Sequence, residues 1–231
     1  MSIALAWCEF KTYVEAIGPG RGEPPRPAQC GFCDGGRVWF NGWRRVWPTL
    51  LVDGRPHRPA DGVALRRVRC ARRDCRRSWT LRPPWLYPHR SLEPDVAEAA
   101  ALAYLREPAT SYAAVATAFG CAWTTVWRWV GWLATLAPPA ALVSAAARLG
   151  GTGGAEPALL PRTVPAAARA RSPQRAAGVF VAAQVLVALA VLHRAQPEPP
   201  ADPSPLRWWL RAEFLAVRHL ARLTRRSPPR R

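Results

Sequence analysis

Two pairs of cysteines stand out among the residues that could do chemistry. Cys30 and Cys33 form a C-x2-C pair, and Cys70 and Cys75 form a C-x4-C pair further along the chain. Both spacings allow a short knuckle to direct two thiolates at one ion, and four thiolates around zinc leave no position open for water. The pattern therefore predicts a structural Zn²⁺ site whose ligands are Cys30, Cys33, Cys70 and Cys75.

Neighbouring residues offer alternatives to this ligand set. The spacer of the second pair is longer than the common two-residue spacer, so Asp74, His57 or His89 could replace one of its thiols. An alternative interpretation needs no metal, and in it the cysteines are unrelated buried or free thiols. The N-terminus has no basic start and no long apolar run, which predicts a reducing cytoplasm, where paired cysteines bind metal more often than they form disulfides.

A second stretch, Ser111 to Leu136, has the spacing of two helices joined by a tight turn. Ala116 is small where the helices would touch, and Gly120 allows the positive φ of a turn. Val126 and Trp129 recur at core positions of the second helix, and Ser111 is the predicted cap of the first helix. The pattern predicts a helix-turn-helix, with an ordinary helical hairpin as the alternative.

In a helix-turn-helix the second helix enters the major groove with its first turns. Arg128 would contact a guanine edge or a phosphate, and Thr124 and Thr125 would contact phosphate or a thymine methyl group, or cap the helix. For Trp127, packing against a neighbouring helix competes with DNA contact. The DNA-binding candidates on this helix are Trp123, Thr124, Thr125, Trp127 and Arg128.

The positive charge of the chain lies on both sides of this stretch. Of the formal +18, residues 1–94 carry 17 basic and 8 acidic side chains, residues 95–140 carry 2 and 3, and residues 141–231 carry 14 and 4. Such an excess attracts polyanions such as duplex DNA, although the near absence of lysine points partly to GC-rich codon usage. Further arginines are predicted to contact phosphate or to form a solvated face: Arg66, Arg67, Arg69, Arg72, Arg73, Arg76 and Arg77.

The elements that position these residues follow from periodicity and from proline-rich breaks. We expect a hairpin over residues 37–47 that turns at Asn41-Gly42, a strand with one wet face over residues 63–70, and a helix over residues 95–107. The predicted fold is small and α+β, with a zinc ribbon of β hairpins, a mainly α helix-turn-helix domain and a helical C-terminal tail. The predicted segments are 1–29 (N-terminal segment and linker), 30–90 (zinc ribbon), 91–137 (helix-turn-helix), 138–175 (linker) and 176–231 (helical basic tail).

Two helices are predicted in the tail. Residues 176–193 are apolar and just long enough to span a bilayer, so a membrane-anchored regulator is one alternative. A buried helix packed against a basic amphipathic helix over residues 206–223 is favoured over a membrane span, and such a pair could also form a homodimer. Four arginines would then form a stripe that faces solvent or phosphate: Arg207, Arg211, Arg218 and Arg222.

The order of these motifs resembles the zinc-ribbon plus helix-turn-helix front end of bacterial insertion-sequence transposases, and especially transposase-like domain-of-unknown-function proteins. The resemblance rests on C-x2-C, "RRVRC", C-x4-C, "WTLRPPWLYPHRSL" and "SYAAVATAFGCAWTTVWRW", and covers roughly Cys30 to Leu136. It implies that the four cysteines are zinc ligands and that the helix from Trp123 reads duplex DNA. The longer second knuckle departs from the commoner pattern.

The resemblance does not extend to catalysis. Transposases of this kind need three carboxylates that hold two divalent metal ions on a sheet after the helix-turn-helix. The acidic residues after Leu136 are Glu156, Glu198, Asp202 and Glu213, and the first three lie in linker-like or proline-rich sequence. The expectation is a cytoplasmic DNA-binding protein that is not an enzyme.

Two rival function classes remain open at this point. A zinc-scaffolded protein-interaction module would present an exposed aromatic patch. RNA binding is a weaker rival, and it would use the same aromatic rings. The sequence has no recognisable RNA-binding module. The tryptophans of such a patch would be Trp39, Trp43, Trp47, Trp208 and Trp209.

Overall fold

A computed structural model describes residues 4–33, 36–83, 85–86, 93–149, 160–198, 200 and 204–212. Over these residues the chain is α+β, with two small antiparallel sheets and eight helices, which confirms the predicted class at this coarse level. The chain divides into two compact units, of which the first ends at Val96 and the second begins at Ala97.

The first unit contains one helix and all the strands of the described residues. Strands β1, β4 and β5 form a sheet in the order β1-β4-β5, and strands β2 and β3 form a separate hairpin. The elements are α1 (Ala4–Ala16), β1 (Val38–Val46), β2 (Leu50–Val52), β3 (Arg55–His57), β4 (Val63–Cys70) and β5 (Ser78–Thr80).

The central strand, β4, contributes to two apolar clusters on opposite faces of the sheet. Val63 and Leu65 are buried with Phe10, Leu50, Trp85 and Leu86. Val68 and Cys70, which point to the other face because side chains alternate along a strand, are buried with Cys30 and Val38. The predicted strand is confirmed. The prediction that one of its faces is solvated along its whole length is wrong, because the two ends of β4 bury opposite faces.

The first cluster depends on helix α1, which lies in the first part of the predicted N-terminal segment and linker, residues 1–29. Phe10 packs its ring edge-to-face on Trp85 with centroids 5.6 Å apart, and Tyr13 does the same at 5.8 Å. The hydroxyl of Tyr13 donates a hydrogen bond to the carbonyl oxygen of Ala64. The first unit therefore begins before Cys30, because its sheet needs α1 to cover Val63 and Leu65.

The hairpin turn predicted at Asn41-Gly42 is wrong. β1 runs through this dipeptide and pairs with β4 on both sides of it, from Phe40 opposite Val68 to Trp43 opposite Arg66. One extra residue is thus inserted in β1, and Gly42 has a φ of 76°, as in a β-bulge. The two-residue hairpin turn lies instead at Asp53-Gly54, where both φ angles are positive.

The second unit is helical. Its elements are α2 (Pro94–Arg106), which begins at the end of the first unit, α3 (Tyr112–Ala118), α4 (Trp123–Leu133), α5 (Pro139–Leu149), α6 (Pro165–Ala168), α7 (Pro173–Arg194) and α8 (residues 205–212).

Helix α7 is the centre of the second unit, and α4, α5 and α6 pack against it. Its buried residues, among them Val179, Val185 and Leu189, occur around much of its circumference, as in a helix surrounded by neighbours. Within the described residues, α7 is also the one helix that is long and apolar enough to cross a membrane, although 44% of its apolar window is buried within the protein. Core helices of soluble proteins have the same composition.

The segment predicted as a linker, residues 138–175, contains the helices α5 and α6 and the start of α7. Prolines that suggested a break instead stand at helix starts, namely Pro139, Pro165 and Pro173. Proline suits the first helical position, since its fixed φ is helical and no hydrogen bond is required of its nitrogen there.

The C-terminal helix is described only over residues 205–212, so residues 213–223 of the predicted amphipathic helix lie outside the described part. Leu206 and Leu210 are buried, as is Arg207, which is only 2% exposed. The prediction that Arg207 faces solvent or phosphate is therefore wrong, and Arg218 and Arg222 of the same predicted stripe lie outside the described residues. The buried hydroxyl of Ser204, just before α8, donates a hydrogen bond to the carboxylate of Glu98 on α2 and accepts one from the Arg207 amide.

Candidate metal centre and nucleic-acid interface

The four predicted cysteine ligands meet at one point of the first unit. The Sγ atoms of Cys30 and Cys75 are 3.9 Å apart, and those of Cys33 and Cys70 are 3.6 Å apart. All four sulfurs lie within 4.8 Å of one another. Cys30 and Cys70 are buried and the other two are half-buried, so the cluster could hold a metal ion at the edge of the apolar cluster on β4.

Backbone hydrogen bonds fold each pair into a knuckle. In the first pair the Cys30 amide donates to the Gly36 carbonyl oxygen at 3.0 Å, and the Phe32 amide donates to the Cys30 sulfur at 3.4 Å. In the second pair the Cys70 amide donates to the Arg77 carbonyl oxygen at 2.9 Å. The longer spacer closes with Arg76 in a left-handed conformation, at a φ of 45°.

The spacing of the sulfurs fits a tetrahedral ion. Two sulfurs that each lie about 2.3 Å from zinc at a tetrahedral angle are about 3.8 Å apart. The distances of 3.6 and 3.9 Å lie on either side of that value. Four soft thiol ligands with no oxygen ligand are the donor set that zinc takes in structural sites.

Of the alternative ligands, neither Asp74 nor His57 belongs to the cluster. Asp74 is held by Arg72, whose guanidinium donates to both carboxylate oxygens at 3.1 and 2.6 Å. This hydrogen-bonded guanidinium lowers the pKa of Asp74. His57 lies in β3, opposite Leu50, and His89 lies outside the described residues.

Deprotonated thiols are destabilised in this cluster unless a cation is bound. Burial raises the pKa of the Cys70 thiol to about 12, which keeps it protonated at neutral pH. A bound divalent ion would supply the positive charge that stabilises the deprotonated sulfurs. Gly36 leaves the room for this arrangement, because a Cβ atom at that position would lie 2.6 Å from the Cys70 sulfur.

In the second unit, helices α3 and α4 meet at the turn that the sequence predicts. The Ser111 hydroxyl caps α3 by accepting a hydrogen bond from the Ala114 amide at 3.1 Å. Gly120 has a φ of 60°, and the next amide, of Cys121, donates back to the Ala116 carbonyl oxygen at 3.0 Å. This pattern is a Schellman motif, which ends α3 and reverses the chain toward α4. The predicted cap and the predicted positive φ are both confirmed.

Helix α4 has one buried and one exposed face. Its buried residues are Val126, Trp129, Val130 and Leu133, which confirms the two predicted core anchors. On the other face Trp123 is 55% exposed and Trp127 is 43% exposed. Arg128 is exposed as well, and its guanidinium forms no hydrogen bond or ion pair with a described residue.

The two threonines of α4 are half-buried, and their predicted capping role is wrong. The cap residue is Ala122, without a side-chain hydrogen bond to the first turn. The helix begins at Trp123, so Thr124 and Thr125 already lie inside it and cannot cap it.

Arg175 links α7 to this pair of helices, although no pattern in the sequence singles it out. Its guanidinium donates to the Tyr112 hydroxyl at 2.6 Å and to the Trp127 carbonyl oxygen at 2.8 Å. It also lies over the Trp127 ring, 4.6 Å from the centroid, while Tyr112 stacks on Tyr104 at 3.9 Å. Arg175 thus places a positive charge beside the exposed face of α4, which the sequence shows as nearly neutral.

The seven arginines predicted to contact phosphate differ in their environments. Arg66 is paired with Glu23 at 2.7 Å and lies over the rings of Phe40 and Trp43. Arg72 is paired with Asp74, and Arg77 lies over the Phe32 ring. The guanidinium groups of the other four are exposed and form no ion pair with a described residue: Arg67, Arg69, Arg73 and Arg76.

The tryptophans predicted as an interaction patch are not equally exposed. In the first unit Trp39 is 51% exposed and Trp47 is 43% exposed, whereas Trp43 is half-buried under Arg66. In the second unit Trp208 and Trp209 are half-buried, and Trp208 packs edge-to-face on His193.

No family model, no curated protein and no solved structure matches this chain. The resemblance to transposase front ends therefore stays a prediction, and a function for this chain has to be inferred from its own residues.

Proposed function

We propose that this protein binds duplex DNA, with a zinc ribbon in its first unit and a helix-turn-helix in its second. The observation that carries the proposal is the exposed face of α4, where Trp123, Trp127 and Arg128 point to solvent while the opposite face is buried. A helix held by its core face, after a tight turn from α3, is the arrangement in which side chains of a second helix reach base edges.

In this proposal the two units divide the work of binding. Arg128 contacts a guanine edge or a phosphate, and Arg175 adds positive charge next to Trp127. Arg67, Arg69, Arg73 and Arg76, which form no ion pair with described residues, contact phosphate and supply affinity that does not depend on sequence. Thr124 and Thr125 are half-buried on α4, so we assign them a lesser share of any DNA contact.

Zinc has a structural role in the proposal. Cys30, Cys33, Cys70 and Cys75 would complete its shell, so the ion holds the two knuckles together and performs no reaction. In the same proposal the protein acts in the cytoplasm, by binding DNA rather than by catalysis. Helix α7 serves as a core helix, and a homodimer could also use it.

The zinc assignment is tested by metal analysis of the purified protein. We expect one Zn²⁺ per chain in the wild type and its loss in Cys30→Ser. Cys121→Ser is the matched control, because Cys121 is a half-buried thiol on the α3–α4 turn and does not belong to the cluster. A wild-type protein without bound zinc, or a Cys30→Ser variant that retains it, would contradict the assignment.

DNA binding is tested by selection from a random duplex library at moderate salt. We expect the wild type to retain a defined sequence motif and Arg128→Ala to lose or relax it. Arg148→Ala is the matched control, since Arg148 is an exposed arginine in the last turn of α5. Retention of DNA without any motif, and to the same extent by all three proteins, would show that α4 does not read sequence.

A further inference from the structure

A cavity of about 430 Å³ opens at the edge of the three-stranded sheet. It lies between the start of the edge strand β1 and the segment that precedes the first cysteine pair. The volume is within the range of small-ligand sites. The lining residues are Arg26, Pro27, Ala28, Arg37, Val38 and Trp39.

The charged side chains that line this cavity are two arginines. Arg26 and Arg37 are exposed, and neither guanidinium forms a hydrogen bond or an ion pair with any described residue. None of the lining residues is acidic. Two unneutralised guanidinium groups in one cavity favour an anionic ligand, and they provide the planar donors that phosphate oxygens accept.

Trp39 adds an aromatic surface to the cavity. Its indole is 51% exposed, and no described ring or cation covers it. This contrasts with Trp43 on the same strand, which lies under Arg66. An open indole beside unpaired arginines is the combination on which a nucleobase stacks while its phosphates are bound.

The face of the sheet that carries Trp39 continues as a basic and hydroxyl-rich surface. Trp39 pairs with Arg69 across β1 and β4, and Arg69 pairs with Ser78 on β5, so the three side chains lie on one face. In the next row of the same face, Arg67 pairs with Thr80. Arg67 and Arg69 are two of the exposed arginines that form no ion pair with described residues.

We infer that this cavity and the adjoining sheet face bind single-stranded nucleic acid, with one unstacked base on Trp39 and flanking phosphates at Arg26 and Arg37. Arg69 and Arg67 bind the next phosphates along the strand. Bases inside a duplex are stacked on one another and cannot reach an indole, so the ligand is a strand with an unpaired base. The inference rests on the proposed function for the class of ligand, but it uses residues of the first unit and not helix α4.

The inference is tested by fluorescence anisotropy with a labelled mixed-sequence single strand of about twelve nucleotides, and with an abasic strand of equal length. We expect the wild type to prefer the strand with bases. Trp39→Ala should weaken binding of that strand about 5- to 100-fold and abolish the preference, because one stacking contact is lost. Trp39→Phe should restore most of the binding, since phenylalanine also stacks.

The matched controls are exposed residues of the same unit outside the cavity. Trp47→Ala removes an indole that is 43% exposed, and Arg55→Ala removes an exposed arginine on β3. Both should bind the single strand as the wild type does. Arg37→Ala should weaken both strands about equally, by roughly fivefold, and should reduce the salt dependence by about one phosphate contact. Zinc content is measured for each variant to verify the fold.

The outcomes separate this inference from the proposed function. If Trp39→Ala binds the single strand as tightly as Trp47→Ala does, or if the wild type binds the abasic strand equally well, the cavity does not bind a base and the inference is overturned. The duplex proposal would survive that result if Arg128→Ala still loses its motif. Conversely, Trp39→Ala could bind single strands more weakly while Arg128→Ala binds duplex DNA like the wild type. That result would support this inference and refute the proposal that α4 reads the duplex sequence.

Discussion

The first unit divides its apolar residues between two small clusters on opposite faces of β4, and one of these clusters is completed by four thiols. The second unit packs α4, α5 and α6 around a single apolar helix, α7. A small core gives little stability, and the second unit has the larger apolar core of the two. If the four thiols hold a metal ion, that ion would compensate for the small apolar clusters of the first unit, so the two units should respond differently to the same perturbation.

Removing the metal should have the largest effect and should act on the first unit. If the thiols hold zinc, chelation removes on the order of 10 kcal/mol of folding free energy from that unit. We expect the amides of β1, β4 and β5 to lose protection in hydrogen exchange measured by mass spectrometry, while those of α7 stay protected. Protection of β4 that survives chelation would show that the apolar clusters suffice.

Leu189→Ala tests the other side of the comparison. Leu189 is fully buried on α7, so its truncation should lower the free energy of unfolding of the second unit by about 2–5 kcal/mol. The measurement is urea denaturation followed by circular dichroism. Leu149→Ala, at a leucine that is 46% exposed at the end of α5, is the matched control and should change stability little. Zinc content should be the same in both variants, and its loss in Leu189→Ala would show that the metal centre depends on the core of the second unit.

Gly36→Ala should weaken the metal centre without removing a ligand. The added Cβ would lie 2.6 Å from the Cys70 sulfur and would push that ligand away from the other three. Overpacking of this kind costs about 1–3 kcal/mol, so zinc affinity in competition with a chelating dye should fall by roughly one to two factors of ten. In the same knuckle, a Cβ at Gly31 meets nothing within 4 Å, so Gly31→Ala should bind zinc like the wild type. Equal affinities for the two variants would contradict the prediction.

Alanine substitutions at two glycines of the second unit should change its stability in opposite directions. Gly120→Ala places a side chain at a φ of 60° and should destabilise the unit by about 1–2 kcal/mol. Gly178→Ala lies inside α7 with nothing within 4 Å of the added Cβ, and should stabilise the unit by about 0.5–1 kcal/mol. Denaturation midpoints measure both changes. A loss of stability in Gly178→Ala would mean that α7 is more tightly enclosed than its neighbours indicate.

Short-range patterns in the sequence predicted the residues of the candidate site better than they predicted the fold. The four thiols were found because each knuckle is set by short spacings, and the cap at Ser111 and the turn at Gly120 are equally local. Asn41-Gly42 has the signature of a hairpin turn, but β4 offers one continuous partner strand on both sides of it, so the dipeptide forms a bulge.

Contacts between distant segments could not be predicted in the same way. Phe10 meets Trp85 and Arg175 meets Tyr112 because the tertiary fold brings them together, and no spacing in the sequence encodes either pair. The prolines of residues 138–175 show a further ambiguity. Proline marks a break and also suits the first turn of a helix, and only the packing of α5 and α6 on α7 decides between the two.

The central position of α7 has a consequence for synthesis of the protein on the ribosome. All four thiols of the candidate metal centre, and the residues of the two apolar clusters of the first unit, have been translated by Leu86. The core of the second unit cannot form until residues 173–194 have emerged, because α7 is the longest helix of the described residues and both α4 and α5 pack on it. During that interval α4 and α5 expose their apolar faces, so the nascent chain is most vulnerable to aggregation just before α7 leaves the exit tunnel.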